Sequence, residues 1–127
     1  VKAHRDNARF YCDALTGLPG IGLPPRDAGS SWWLYTVRVS DRDGFIRFLA
    51  ERGIASSPVH APNDQHTGFR EARHPASAEL HGVRVFASTE AALPVGWWLS
   101  LDDRLRVVDA VKRWSALHQE YPIGAAA

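Results

Sequence analysis

Apolar and polar positions along this chain follow two periods, and the changes of period mark out its elements. Over Val1–Thr16, Ala3, Phe10 and Ala14, with Tyr11 and Leu15 beside them, fall at helical spacings and predict a helix with one apolar stripe. Gly17, Pro19 and Gly20 stop it. Ile21–Ser31, with Pro24-Pro25 and Asp27-Ala28-Gly29, reads as a connector over the surface. The period then becomes two. Trp32–Val39 is aromatic and β-branched, the composition of a strand. Trp33, Tyr35, Val37 and Val39 share the face expected to meet the core, and Trp32, Leu34, Thr36 and Arg38 share the other.

Helical spacing returns at Asp41–Arg52, with Phe45, Ile46, Phe48 and Leu49 facing inward. Ser40 is the expected N-cap, with Asp43 three residues on as a short stand-in for a capping-box Glu. Gly53 is placed to end the helix in the left-handed conformation. Ile54–Ser57 predicts a second strand, so residues 32–57 form a βαβ unit of expected right hand, with the two strands adjacent or separated by a third. Pro58–Gly68 is a loop, and Phe69–Arg73 a single helical turn before Pro75. Leu80, Val83, Val85 and Phe86 fit a short helix, against which Gly82 and Ser88-Thr89 argue. Ala91–Val95 is a short third strand limited by Pro94, and Gly96-Trp97-Trp98 a turn. The last helix, 101–118, has Ser100 as N-cap and Asp103 at N3. Val107, Val108, Val111 and Trp114 form its apolar face, Leu101 lies at the edge of that face, and Asp102, Arg106, Asp109 and Arg113 face water.

These elements predict an α/β fold: a small two-layer domain over residues 1–120, with a sheet of about three strands packed on helices. Residues 121–127 are expected to be a disordered tail.

The densest chemistry lies in the Pro58–Gly68 loop, where His60, Asn63, Asp64 and His66 crowd together at the end of a predicted strand. His60, Asp64 and His66 make an H-x3-D-x-H pattern, and two imidazoles with a carboxylate can hold zinc. The spacing matches no strong metal signature, and a polar loop bonded to its own backbone is the simpler reading. Cys12 lies on a helix with nothing near it in sequence to lower its pKa, so it reads as a structural or merely exposed thiol. The adjacent pairs Trp32-Trp33 and Trp97-Trp98 matter because, where such a pair is extended, one member points away from the core. That member either meets a partner or a sugar, or is covered by a second layer.

Composition narrows the function classes. The chain has 127 residues, 45% hydrophobic and 23% charged, which suits one soluble domain with a real core. A net charge of +1 without a Lys/Arg run argues against nucleic acid and acidic lipid as partners. No apolar run approaches the ~18 residues of a membrane span. The lone cysteine excludes an intrachain disulfide framework and fits a cytoplasmic location. The sequence contains no Met, which suggests a processed product or a piece of something longer.

Taken in order, RDNARFYCDALTGLPGI, SSWWLYTVRVSDRDGFIRFLAERGIASSPVHAPNDQHTGF and LPVGWWLSLDDRLRVVDAV resemble the C-terminal part of the DegT-type sugar aminotransferases, over residues 5–111. These are pyridoxal-phosphate enzymes of the aspartate aminotransferase fold (fold type I). The resemblance implies transfer of an amino group from glutamate or glutamine to a nucleotide-linked keto-sugar. It also implies a large N-terminal domain carrying the cofactor lysine, and a homo-oligomer, usually a dimer. His60 matches the family's V-H position, and Asn63, Asp64 and His66 match the N-D-x-H pattern of one subgroup. Substrate binding, with no proton abstraction, is the role this implies for the four residues. The chain begins beyond the place of the family's lysine. Its own lysines, Lys2 near a terminus and Lys112 toward the wet side of a helix, sit in no setting that lowers a pKa, and no Gly-rich phosphate cradle accompanies them. The chain alone is therefore expected to bind no cofactor and to supply no catalytic residue. It is a fragment, a truncated product, or a standalone sugar-binding or protein-interaction module.

Overall fold

A computed structural model describes residues 1–69, 71 and 80–118. The elements run α1 (Lys2–Leu15), β1 (Tyr35–Arg38), α2 (Arg42–Ala50), two 3-10 turns (Asn63–Gln65 and Thr67–Phe69), α3 (His81–Thr89), β2 (Glu90–Leu93) and α4 (Leu101–Leu117). The expected turn Phe69–Arg73 runs into residues outside the described set, and the tail 121–127 lies wholly outside it.

β1 and β2 pair antiparallel, with Tyr35 opposite Leu93 and Arg38 opposite Glu90. This sheet has two strands, where about three were expected. Each edge carries one further bridge, Gly22 to Arg38 and Ser57 to Ala92. The expected strand Ile54–Ser57 is reduced to that second bridge. The Ser57 carbonyl accepts from the Ala92 N–H at 2.9 Å, and Ser56 Oγ donates to the Ala92 carbonyl at 2.8 Å. A side chain thus replaces a rung of the ladder, and Pro58 ends the pairing. Segment 54–57 runs parallel to β1 with β2 between them, so β2 fills the gap in the expected βαβ unit.

β1 starts three residues later than its composition suggests. Trp32 adopts φ 52°, rare for a bulky residue, and breaks the extended run. Its ring folds onto Tyr35 (centroids 5.6 Å apart) and its indole N–H donates to the Asp27 carbonyl at 3.1 Å. Trp33, expected in the core, is 69% exposed instead. Tyr35, Val37 and Val39 are buried as their alternation requires.

The core is closed by α1, α2 and α4. On α1 the buried face is Asn7, Ala8, Tyr11, Cys12 and Leu15, spaced i, i+1, i+4, i+5 and i+8. Of the expected stripe, Tyr11 and Leu15 are buried, while Ala3, Phe10 and Ala14 are only half-buried. The buried face is shifted to one side of that stripe and takes in an amide that the apolar pattern left out. Asn7 Nδ2 donates to the carbonyls of Val95 and Gly96, at 3.1 and 2.9 Å, and Tyr11 donates its hydroxyl to the Pro94 carbonyl at 2.8 Å. α1 therefore satisfies the three carbonyls that follow β2. Burial pushes the pKa of the Tyr11 hydroxyl up to about 12 and shifts that of Tyr35 in the same direction, so both hydroxyls stay protonated. Cys12 is buried against Tyr35, its Sγ 3.3 Å from the ring hydroxyl.

Asp41, rather than Ser40, caps α2; its carboxylate accepts from the Gly44 N–H at 2.9 Å. Phe45 and Leu49 are buried, while Ile46 and Phe48 pack at the margin. At the far end Gly53 takes φ 69°, the Ile54 N–H reaches the Leu49 carbonyl (3.0 Å), and the Gly53 N–H reaches Ala50 (2.9 Å). This is a Schellman ending, and Ile54 is delivered into the core beside Leu49. α4 opens with the full Ser100–Asp103 capping box. Its Trp114 packs edge-on to both Phe45 and Phe48, with centroids 5.5 and 5.4 Å away.

A Cβ at Gly53 would meet only Arg106 Nη2, at an ordinary 3.6 Å, so Gly53→Ala carries a conformational cost and no steric one. Urea denaturation is expected to show a loss of about 1 kcal/mol. Unchanged stability would contradict the left-handed ending.

Candidate functional site

The 58–65 loop is seated on the sheet by Glu90, a residue the sequence reading passed over. β1 and β2 turn Tyr35, Val37, Ala91 and Leu93 toward the helices. By the strand period, Arg38 and Glu90 stand on the opposite face. Glu90 is nonetheless 0% exposed, because the loop crosses it. Its Oε1 accepts from two successive backbone donors, the Val59 N–H at 2.7 Å and the His60 N–H at 3.3 Å. Its Oε2 and the Nε of its cross-strand neighbour Arg38 are both buried without a hydrogen-bond partner among the described residues. Opposite charges on facing positions attract. The carboxylate thus joins β2 to the loop.

Beside this anchor lies a cleft of about 770 Å³ between the loop and α3. His60, Val59, Pro62 and Gln65 line it from the loop, His81, Arg84 and Ser88 from α3, and Arg42 from the start of α2. Arg42 ties the walls together, donating to the Ala87 carbonyl and, at 2.8 Å, to Asp43 Oδ1. Arg84 forms an ion pair with Asp64 across the cleft's end.

Of the four residues singled out in the loop, His60 lines the cleft with its side chain exposed. Asp64 joins it indirectly by holding Arg84. Asn63 and His66 are exposed at the ends of a 3-10 turn, linked by a backbone bond of 3.1 Å, and neither lines the cleft. Among the described residues no three His, Cys, Asp or Glu side chains gather as a metal-ligand set. α3 is a helix despite Gly82 and Ser88-Thr89, and its Val83 and Phe86 are exposed. Arg42, His81, Arg84 and Glu90 were missed because they are scattered between positions 42 and 90 and meet only through the fold. A charged residue heading an apolar run, Glu90 before Ala91-Ala92-Leu93, was the one local signal.

The described residues do not fit pyridoxal phosphate. Lys2 has a 90% exposed side chain whose Nζ lies 2.6 Å from Asp6 on the first turns of α1. Lys112 is exposed on α4, and neither lysine lines the cleft.

The fold is one found in aminotransferases. It superposes on the sugar aminotransferase CalS13 from Micromonospora echinospora with a TM-score of 0.79 and 38% identity, covering 88% of this chain and 30% of that one. The chain belongs to the DegT/DnrJ/EryC1/StrS aminotransferase family, whose sequence model matches residues 1–112. It is 38% identical over 111 residues to the dTDP-3-amino-3,4,6-trideoxy-alpha-D-glucose transaminase of Streptomyces venezuelae, across 85% of this chain and 29% of that protein. It is 30% identical over 117 residues to the dTDP-3-amino-3,6-dideoxy-alpha-D-galactopyranose transaminase of Aneurinibacillus thermoaerophilus, across 87% of this chain and 30% of that protein. The chain therefore spans about 30% of the length of these relatives.

Replacing Glu90 with Ala strands two backbone donors, and a loss of about 1–3 kcal/mol is expected. Amide hydrogen exchange should accelerate at Val59 and His60 in Glu90→Ala, and much less in Glu90→Gln, which keeps the acceptor. Equal protection in the wild type and Glu90→Ala would remove Glu90 as the loop's anchor.

Proposed function

We propose that this chain is the small C-terminal domain of a sugar aminotransferase. The parent enzyme transfers an amino group from glutamate or glutamine to a keto-sugar carried on a nucleotide. The observation that carries this reading is the match of most of the chain to under a third of two dTDP-sugar transaminases. Pyridoxal phosphate, held in the parent by a larger N-terminal domain, supplies the amino-carrying chemistry. This chain's residues do other work. His60 offers its imidazole to the sugar or its phosphates, and Asp64 keeps Arg84 in place. Asn63 and His66 border the same loop and shape its rim. The parent assembles as a homo-oligomer, and the chain alone is inactive.

A second reading, a standalone sugar-binding or protein-interaction module, draws on one observation. Trp33, Trp97 and Trp98 are 69, 72 and 66% exposed, an unusual amount of aromatic surface for an unpartnered domain.

Titrating the purified chain with pyridoxal phosphate, followed by visible absorbance and borohydride trapping, separates the catalytic claims. The expected result is no saturable spectral change and no trapped adduct. A stoichiometric adduct on Lys2 or Lys112 would make the chain an enzyme candidate by itself and overturn the proposed division of labour.

A further inference from the structure

A smaller recess lies between α1 and the connector that follows it. Four residues from one face of α1 line it, Arg5, Ala8, Arg9 and Cys12, spaced i, i+3, i+4 and i+7. Residues 26–28 and Trp32 close it from the other side. None of these residues lines the cleft beside Glu90. Two arginines brace the recess. Arg5 donates to the Gly29 and Ser30 carbonyls, at 3.0 and 2.8 Å, and Arg26 pairs with Asp13 at 2.8 Å. Trp32 is held at φ 52°, and its indole N–H is spent on the Asp27 carbonyl. What the ring offers the recess is therefore apolar carbon. A strained backbone persists only where its surroundings hold it, and such residues gather at ligand sites. The inner wall, Ala8 and Cys12, is small and buried. Three guanidiniums, Arg5, Arg9 and Arg26, face two carboxylates, Asp13 and Asp27, which leaves one positive charge over. Arg9 is the arginine with donors to spare: it makes no hydrogen bond or ion pair among the described residues. The Asp6 carboxylate that feels its charge is already held by Lys2 at 2.6 Å.

We propose that this recess binds a small aromatic carboxylate, with one ring seated against Trp32, Ala8 and Cys12 and the carboxylate on Arg9. An apolar cavity of about 150 Å³ takes a benzene ring, and this recess measures about 170 Å³. It therefore holds a single ring and little more, and excludes a nucleotide. A planar guanidinium meets a carboxylate with two parallel hydrogen bonds, and an aromatic ring against an indole gains beyond the area it buries. The ring and the charge are both needed, because the recess has an apolar wall and one free cation at its rim. The site is independent of the aminotransferase reading, and either can fall without the other.

The test is titration of the chain with benzoate, followed by NMR of its amide and indole N–H groups. Saturable shifts are expected at the Trp32 indole and at the amides of Ala8, Arg9, Cys12 and Ala28, complete by about 10 mM. Benzyl alcohol keeps the ring and loses the charge; acetate keeps the charge and loses the ring. Each should bind at least about tenfold more weakly than benzoate. Arg9→Gln should weaken benzoate about tenfold. Ala28 lines the recess and is itself exposed, so Ala28→Phe should crowd the entrance and abolish the shifts without disturbing the core. Several results would overturn the site: no saturation by about 10 mM, benzyl alcohol or acetate binding as tightly as benzoate, shifts centred on residues 58–65 and 81–88, or unweakened binding in a folded Arg9→Gln or Ala28→Phe chain.

Discussion

The antiparallel pairing of Tyr35–Arg38 with Glu90–Leu93 is the contact on which the other elements depend. Side chains on a strand alternate, so slipping this register by one residue would turn Tyr35 and Val37 out of the core. It would also carry Glu90 away from the loop it holds. In the observed register both requirements are met. One face of the pair closes against α1, α2 and α4, and the other presents a buried carboxylate to the Val59 and His60 N–H groups. The carbonyls just beyond β2 are taken by Asn7 and Tyr11 of α1. A four-residue strand is thus tied beyond its far end by a helix whose bonds to it span 83 to 89 residues of sequence, and at its start by the loop.

The cleft follows from the same geometry. α3 leads into β2 with no intervening residue, so its position is set by the strand. Arg42 opens α2 just after β1 and reaches the Ala87 carbonyl near the end of α3. Loop, α3 and α2 therefore converge where the two strands meet. On the proposed function, this convergence is one wall of the parent enzyme's binding cleft.

Much of this was legible in the sequence. The Tyr35–Val39 part of the expected Trp32–Val39 run, the capping box at Ser100 and the left-handed Gly53 rest on local patterns and stand in the structure, and the family resemblance is matched by the family model. The errors have physical causes. Trp32 has strand composition but a positive φ, which no propensity scale anticipates, and Trp33 is thrown outward as a result. Ile54–Ser57 has strand character but pairs partly through a serine hydroxyl. The α1 stripe was displaced because Asn7, a polar residue, is buried to serve backbone carbonyls. At the site, His60 stood out among polar neighbours. Arg42, His81, Arg84 and Glu90 did not, since their meaning lies in contacts between segments distant in sequence.

The most direct test of the account is a chimera in which residues 1–112 replace the matching stretch of the Streptomyces venezuelae transaminase, assayed for amino transfer to a dTDP-linked keto-sugar. The account predicts a folded chimera that binds pyridoxal phosphate and transfers the amino group. A chimera that folds and takes up the cofactor, yet transfers nothing to any dTDP-linked keto-sugar, would contradict it.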